Sequence, residues 1–321
     1  LRIAMLSIHS CPIGELGTTD TGGMNVYIRE LARKLGTRGH SVDVFTRLHD
    51  PKDKLVTELY ENVRLVHLRA GRVENIDKLA IYPHLPDFYR ALENFREYQG
   101  VHYDLIHSHY WLSGRVGSWV KVSWNIPHIL MFHTLGALKN LTGVGEAEPE
   151  LRIATEKRLV RTCDRIIAAT AREKTDLKRY YGANPKTIAV VPCGVNLERF
   201  RPLDKTTARK RLGFGYNEEI LLFVGRFSPI KGIERLLGAM SYLTQIQDVR
   251  LVIIGGDGYD NGDYQALRRL SKKLGIRNKV TFEGRIEQEK LPQYYSAADV
   301  LVIPSHHESF GLVALESMAC D

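Results

Sequence analysis

The sequence has 321 residues, of which 44% are hydrophobic and 26% charged, so it suits a globular protein of two domains rather than a disordered chain. Its 45 basic and 37 acidic residues give a net charge of +8, which suits phosphorylated ligands or an acidic membrane surface. The four cysteines lie far apart without C-x-x-C spacing, which argues against a zinc motif or a disulfide framework. No apolar run is long enough to span a bilayer and no signal peptide precedes the first strand, so a cytoplasmic location is expected.

Apolar runs of strand length alternate with helical patterns along the chain. The first set of predicted strands is 2–8, 41–47, 63–68, 104–109, 128–133, 165–170 and 187–191. Turn signals follow near residue 200, and the alternation restarts with strands at 219–224, 249–255, 280–283 and 300–304. Such alternation predicts parallel sheets, so we expect an α/β protein with two Rossmann-like domains, 1–200 and 201–321. Segments 73–86 and 137–150 are polar and are expected to be irregular.

A glycine pair precedes the first predicted helix. Gly22 and Gly23 come directly before Met24-Asn25-Val26-Tyr27. Glycine lets a backbone approach a ligand closely, and a helix N-terminus offers unpaired N–H groups to a phosphate, although an ordinary flexible loop is the alternative. No G-x-G-x-x-G follows a predicted strand, and Gly256-Asp257-Gly258 is too short a match, so a nicotinamide dehydrogenase is disfavoured.

Three histidines end strands of the first domain. His107 and His109 share one face of their strand because side chains alternate along it. A metal pair is conceivable, but packed, hydrogen-bonded histidines are favoured because no third ligand is evident nearby. His133 ends the next predicted strand, where its ring or its backbone carbonyl can contact a sugar; a core histidine is the alternative.

Two cations follow the first strand of the second domain. Arg226 and Lys231 lie within Gly225-Arg226-Phe227-Ser228-Pro229-Ile230-Lys231-Gly232. Cations beyond a strand's carboxyl end suit a diphosphate whose charge grows as a glycosidic bond breaks. Solvated surface cations are the alternative, and the strand end and the flanking glycines favour the diphosphate.

Two glutamates, Glu308 and Glu316, flank seven residues after the last predicted strand. Gly311 and the turn before it make Glu308 a loop residue, so one carboxylate can face a sugar and the other a ribose. Solvated acids at a helix start are the alternative. Together with G-R-x-x-x-x-K-G, this E-x7-E pattern resembles the retaining GT-B glycosyltransferases of family 4.

The resemblance implies the GT-B fold, in which two Rossmann-like lobes face each other across a cleft. Residues 1–200 would bind the acceptor and residues 201–321 the nucleotide sugar. Because the sequence stops inside the last predicted helix, we expect the second lobe to be truncated at its C-terminal end, with an open sheet edge.

The resemblance also implies a reaction and its residues. It is the transfer of a hexose with retention of configuration from a UDP-sugar co-substrate, with no cofactor or metal required because Arg226, Lys231 and helix N-termini hold the diphosphate. Arg285 would lie near the base, Glu316 at the ribose and Glu308 at the donor sugar. The implied catalytic residues are His133, Arg226, Lys231 and Glu308, and the implied nucleotide-sugar ligands are Gly23, Arg226, Lys231, Arg285, Glu308 and Glu316.

Within the family, the motifs at 21–27 and 107–114 most resemble the inositol 3-phosphate N-acetylglucosaminyltransferases of mycothiol synthesis. This implies UDP-N-acetylglucosamine as the donor and a phosphorylated polyol such as 1D-myo-inositol 3-phosphate as the acceptor. The implied acceptor ligands are Asn25, Lys78, Tyr110, Thr134 and Arg152.

Two other functions stay open. Sucrose-phosphate synthases share the scaffold and also bind a phosphorylated acceptor, which makes glucose transfer to fructose 6-phosphate an alternative. A protein that binds a nucleotide sugar without turning it over is another. We expect no nucleic-acid partner, and leave open a peripheral membrane association and a homodimer.

Overall fold

The computed structural model describes residues 1–14, 21–256 and 262–321, which form two compact units. The first comprises Leu1–Gly14, Gly23–Leu141 and Glu148–Pro192, and the second is mainly Cys193–Asp321. The division falls before the predicted boundary at residue 200, and Phe200 packs in a core of the second unit. Asp257 and Gly258 of the glycine-containing sequence noted above lie outside the described residues.

The described part of the first unit forms one eight-stranded sheet. Its strands are β1 (Arg2–Leu6), β2 (Ser41–Arg47), β3 (Val56–Tyr60), β4 (Val63–Leu68), β5 (Leu105–His109), β6 (His128–Met131), β7 (Arg165–Ala168) and β8 (Ile188–Val190). Among these strands, only β3 was not predicted from the sequence. This edge strand pairs antiparallel with β4, and it has no buried face and therefore no apolar alternation to reveal it.

Helices pack against this sheet. They are α1 (Gly23–Thr37), α2 (Leu85–Gln99), α3 (Tyr110–Trp124), α4 (Gly136–Leu141), α5 (Glu150–Thr162) and α6 (Ala171–Tyr181). Along β1, Ile3 and Met5 join one apolar core, whereas Ala4 and Leu6 join another, as expected for a parallel strand that is covered on both faces. The irregular structure expected at 137–150 is wrong in part, because α4 occupies its first residues.

The strand order of the first sheet is β3-β4-β2-β1-β5-β6-β7-β8, and every pair except β3 with β4 is parallel. The chain adds strands on one side of β1 and then crosses to add β5 on the other side. In such sheets, ligands bind beyond the carboxyl ends of the two strands where the order reverses. The loops after β1 and β5 therefore form the expected ligand-binding edge of this sheet.

The second unit repeats this plan on a smaller scale. Its strands are β9 (Glu219–Val224), β10 (Val249–Ile254), β11 (Val280–Gly284) and β12 (Val300–Leu301), and its helices are α7 (Lys205–Leu212), α8 (Ile233–Met240), α9 (Gly262–Lys273), α10 (Leu291–Ala297) and α11 (Leu312–Met318). All described pairs in the order β11-β10-β9-β12 are parallel, so the order reverses between β9 and β12. β12 is shorter than predicted, and Pro304 has no N–H to donate to a longer ladder.

In the ranges that the structure describes, every helix is too short or too polar to cross a bilayer.

Two helical glycines make a matched pair for testing the packing. A methyl group at Gly117 of α3 would lie 2.3 Å from Ser108 Oγ and 2.5 Å from His128 Nε2. We expect Gly117→Ala to destabilise the protein by about 1–3 kcal/mol through overpacking. The control, Gly238→Ala in α8, has no neighbour within 4 Å and should stabilise by up to about 1 kcal/mol through helix propensity. Denaturant unfolding of both variants measures the difference, and equal effects would contradict the packing.

Candidate active site

Three of the residues expected to bind the acceptor lie together in the first unit. Arg152 of α5 donates from Nη2 to the carbonyl oxygen of Thr134 at 2.8 Å and to its Oγ1 at 3.0 Å. The guanidinium carbon lies 4.8 Å from the centre of the Tyr110 ring. Tyr110 begins α3 directly after β5, and Thr134 follows β6, so neighbouring strand ends bring them to Arg152.

Arg152 is only 1% exposed, and two carboxylates balance its charge. Its Nη1 lies 2.8 Å from Glu148 Oε2 and its Nε 2.8 Å from Glu156 Oε1. Burial alone would lower the pKa of Arg152, but Glu156, Tyr110 and Glu148 raise it, so the guanidinium stays charged. Tyr181 donates to Glu156 Oε2 at 2.5 Å, which completes a buried polar network.

Sequence reasoning missed the two carboxylates. Glu156 lies four residues after Arg152 in α5, a spacing that places both side chains on one face of the helix, whereas Glu148 precedes the helix. Lys139 pairs with Glu148. Burial lowers the pKa of Lys139, and the nearby charges of Arg152 and Lys78 lower it further, although Glu148 raises it. The expected residue Lys78 thus belongs to the same charged region.

Asn25 of α1 is fully buried. Its Nδ2 donates to Ser10 Oγ at 2.6 Å and to the carbonyl oxygen of Cys11 at 2.8 Å. The amide donors therefore hold the loop that follows β1. Gly23 begins the same helix and is exposed, so this helix N-terminus is accessible.

The three histidines form a cluster. His109 Nδ1 lies 2.9 Å from His133 Nε2, and the rings of His107 and His109 are 4.3 Å apart, as their shared strand face predicts. Burial lowers the pKa of His107 to about 4, and burial followed by the charge of His107 lowers the pKa of His133 to about 3. These imidazoles are therefore neutral at pH 7 and act as dipoles and hydrogen-bonding groups.

Backbone strain marks the same strand ends. Tyr110 and His133 have φ angles of +73° and +62°, which are uncommon for residues other than glycine. Such conformations cost about 1–3 kcal/mol and concentrate at functional sites. Both residues stand just beyond the strands, Tyr110 after β5 and His133 after β6.

In the second unit, the loops after β9 and β12 bring Lys231 and Glu308 together. Lys231 Nζ lies 2.7 Å from Glu308 Oε2, and Ser305 Oγ donates to the same oxygen at 3.3 Å. The side chains are 24% and 30% exposed, so the pair contributes at most about 1 kcal/mol. A negatively charged ligand can replace Glu308 as the partner of Lys231 at small cost.

Gly232 sets the spacing of these two loops. It has a φ angle of +69°, and a methyl group there would lie 2.3 Å from the carbonyl oxygen of Pro304. The His306 amide also donates to the carbonyl oxygen of Ile230 at 2.8 Å. A side chain at position 232 would therefore separate Lys231 from Glu308.

Glu316 of α11 is buried, unlike Glu308. Tyr295 donates to its Oε2 at 2.8 Å, and Gln288 Nε2 lies 3.4 Å from its Oε1. Burial raises the pKa of Glu316 to about 7, although these two donors and the charge of Arg199 lower it. This carboxyl group is thus poised between its neutral and ionised forms at physiological pH.

Arg226 and Arg285 follow β9 and β11 at the same carboxyl edge of the second sheet. Arg226 is half-buried and Arg285 is exposed. The expected nucleotide ligands of this unit therefore follow β9, β11 and β12 among its described strands, together with the α11 residue Glu316.

Comparison with known proteins agrees with this architecture. Residues 21–199 match the Glycosyltransferase Family 4 model and residues 204–321 match Glycosyl transferases group 1. A D-inositol 3-phosphate glycosyltransferase of Geodermatophilus obscurus is 41% identical, with 99% of this chain and 73% of that protein covered. Sucrose-phosphate synthase of Thermosynechococcus elongatus is 37% identical, with a TM-score of 0.91 over 99% of this chain and 79% of that one. HepE of Anabaena, solved with UDP and glucose, is 19% identical with a TM-score of 0.73. The match covers 99% of this chain and 78% of the HepE chain, and it supports the fold alone.

Two Rossmann-like units with charged loops at their strand reversals define a GT-B glycosyltransferase. The chain belongs to glycosyltransferase family 4. The fold class and the family resemblance expected from the sequence are confirmed.

The buried arginine network generates a stability prediction. Arg152→Met leaves the buried Glu156 without its cation, while Glu148 keeps Lys139, and should destabilise the protein by about 3–5 kcal/mol. The control is Arg172→Met, which removes another helical arginine paired with an acid four residues away, Asp176. Because the Arg172 side chain is 85% exposed, less than about 1 kcal/mol is expected there. Chemical unfolding distinguishes the two, and equal losses would contradict the network.

Proposed function

We propose that this glycosyltransferase moves a hexose from UDP-N-acetylglucosamine to a phosphorylated polyol such as 1D-myo-inositol 3-phosphate, with retention of configuration. The observation that carries the proposal is the convergence of Tyr110, Thr134 and Arg152, with Lys78 in the same charged region. The similarity of this chain to proteins named D-inositol 3-phosphate glycosyltransferases supports the choice of acceptor.

The acceptor phosphate has two kinds of ligand in this proposal. Lys78, Thr134 and the Tyr110 hydroxyl contact the phosphate oxygens. Arg152 is buried and already bonded, so it adds positive charge and fixes Thr134. Asn25 contacts the polyol hydroxyls through its amide oxygen, which can accept from them, because Nδ2 donates to Ser10 and Cys11.

The nucleotide sugar is assigned to the second unit, where Arg226 and Lys231 bind the diphosphate and Arg285 lies at the base. Gly23 stays a proposed ligand of the first unit, through the N–H groups at the start of α1. Glu316 accepts hydrogen bonds from the ribose hydroxyls. Each carboxylate oxygen has two lone pairs, so it can accept a second hydrogen bond besides the one from Tyr295 or Gln288.

For the sugar itself, Glu308 and His133 are the proposed contacts. In retention by same-face attack, the acceptor oxygen bonds to the anomeric carbon as the bond from that carbon to the diphosphate oxygen breaks. The hydroxyl proton passes to the departing oxygen. Arg226 and Lys231 stabilise the charge that develops there, which is where preorganised donors contribute most to the rate.

A second candidate has its own support. The sucrose-phosphate synthase that this chain resembles at a TM-score of 0.91 favours glucose transfer to fructose 6-phosphate. Both acceptors carry a phosphate, so the charged region fits either one.

The deciding experiment offers UDP-N-acetylglucosamine and UDP-glucose with each of the two acceptors, and follows UDP release and the anomeric proton of the product by NMR. Transfer to inositol 3-phosphate with an α linkage is expected. Lys231→Ala and Glu308→Ala should each lower the rate by roughly 10²- to 10³-fold while remaining folded. Transfer only to fructose 6-phosphate would overturn the acceptor, a β-linked product would overturn retention, and binding without UDP release would favour a nucleotide-sugar-binding protein.

Nucleotide binding should depend on pH through Glu316. Its pKa of about 7 in the free protein should fall when ribose hydroxyls donate to it, because these donors favour the ionised form. Affinity for UDP should therefore rise with pH up to about 7 and level off above it, with proton release below that pH. Calorimetry in buffers of different ionisation enthalpy measures this, and the dependence should be lost in Glu316→Gln. An unchanged profile in that variant would remove the assignment to the ribose.

A further inference from the structure

A second cluster of polar side chains lies in the first unit, beside the loop after β1. His49 Nδ1 lies 3.2 Å from Asp53 Oδ2, and His67 Nε2 lies 3.8 Å from the same oxygen. One ligand atom from each of these three residues falls within 4.8 Å of the others. Cys11 Sγ is 3.6 Å from His67 Nε2, so a fourth donor adjoins the three.

The tautomer of His67 is fixed by a backbone contact. Its Nδ1 lies 2.9 Å from the carbonyl oxygen of Lys54, which can only accept a hydrogen bond. Nδ1 therefore carries the proton, and the lone pair of Nε2 points toward Asp53 and Cys11. A ring nitrogen bonded to a backbone carbonyl is the usual support for a metal-ligating histidine.

The His49–Asp53 distance of 3.2 Å and the His67–Cys11 distance of 3.6 Å fit a tetrahedral ion, whereas the His67–Asp53 distance of 3.8 Å would have to shorten by about 0.5 Å. Zinc bonds of about 2.0–2.3 Å at tetrahedral angles place nitrogen and oxygen ligands about 3.3 Å apart, and nitrogen and sulfur ligands about 3.6 Å apart. We propose that His49, Asp53, His67 and Cys11 form a zinc site. This mixture of nitrogen, oxygen and sulfur donors suits zinc better than magnesium or calcium, which prefer oxygen.

The burial of the four residues distinguishes the cluster from a surface ion pair. His67 and Cys11 are buried, whereas His49 and Asp53 are partly exposed and give an ion a route from solvent. His49 Nδ1 also lies 3.4 Å from the carbonyl oxygen of Arg47, a long contact that an ion would replace. Elsewhere, the half-exposed pair of His84 and Asp87, 3.8 Å apart, provides a histidine–carboxylate control.

An ion here would brace the loop next to the candidate acceptor site. The cluster joins Cys11, after β1, to His67 near the end of β4 and to the segment after β2. The carbonyl oxygen of Cys11 accepts the hydrogen bond from Asn25. The site is therefore structural, and it lies apart from the residues proposed to carry the reaction.

The test uses tag-free full chain, so that no added histidines bind metal. After dialysis against zinc and gel filtration, one zinc ion per chain is expected by mass spectrometry, and added zinc should raise the melting temperature. His67→Gln and Asp53→Ala should each weaken zinc binding at least as much as the roughly 10- to 100-fold caused by loss of an outer-shell partner. His84→Gln should bind zinc normally.

Cobalt tests the sulfur ligand separately. Co²⁺ in the same site should show tetrahedral d–d absorption and a thiolate-to-cobalt charge-transfer band that disappears in Cys11→Ser and persists in Cys163→Ser. Substoichiometric zinc in the folded wild type, or equal binding by the His67 and His84 variants, would overturn the site. A wild-type cobalt spectrum without the thiolate band would overturn Cys11 as a ligand. These readouts measure binding alone, so their failure leaves the proposed transferase activity to its own test.

Discussion

The constraint on which the rest of the structure depends is the reversal of strand order in each parallel sheet. Where the order reverses, successive helices pack on opposite faces, so the loops beyond the two central strands are left uncovered. In the first sheet these loops follow β1 and β5, and in the second they follow β9 and β12. Asn25 and Tyr110 mark the first position, and Lys231 and Glu308 mark the second. The strand order thus brings functional side chains that are distant in sequence to the same edge of each sheet.

The charged side chains of the two units differ in burial. Around Arg152 the charges are buried, matched by two carboxylates and joined to Tyr181, so loss of Arg152 leaves Glu156 uncompensated in a low dielectric. Lys231 and Glu308 form a weak, partly exposed pair that a ligand can exchange. A permanent network suits a binding surface of fixed shape, whereas an exchangeable pair suits a charged group that must enter and leave.

Most of the fold could be predicted from the sequence because buried parallel strands produce long apolar runs between helical patterns. β3 could not, since an exposed edge strand leaves no such signal. Motifs identified Lys231 and Glu308 as site residues, but their ion pair depends on the close approach of Gly232 to Pro304, which is a tertiary contact. Glu156 carried a usable signal in its helical spacing from Arg152, whereas Glu148 lies before α5 and reaches Arg152 from the preceding loop. The grouping of Cys11 with His67 carried none, because parallel strand pairing brings them together.

The choice of acceptor has to be made by groups other than those that bind phosphate. Inositol 3-phosphate and fructose 6-phosphate present the same anion, so the phosphate contacts proposed for Lys78 and Thr134 favour neither acceptor. Discrimination then depends on contacts with the polyol hydroxyls, where an unmatched buried polar group costs more than an absent apolar contact. In this chain that role is proposed for Asn25, whose position is set by its bonds to Ser10 and Cys11. Under this proposal the loop after β1 bears on acceptor selectivity, and the proposed zinc ion at Cys11 would affect selectivity through that loop rather than the chemistry of transfer.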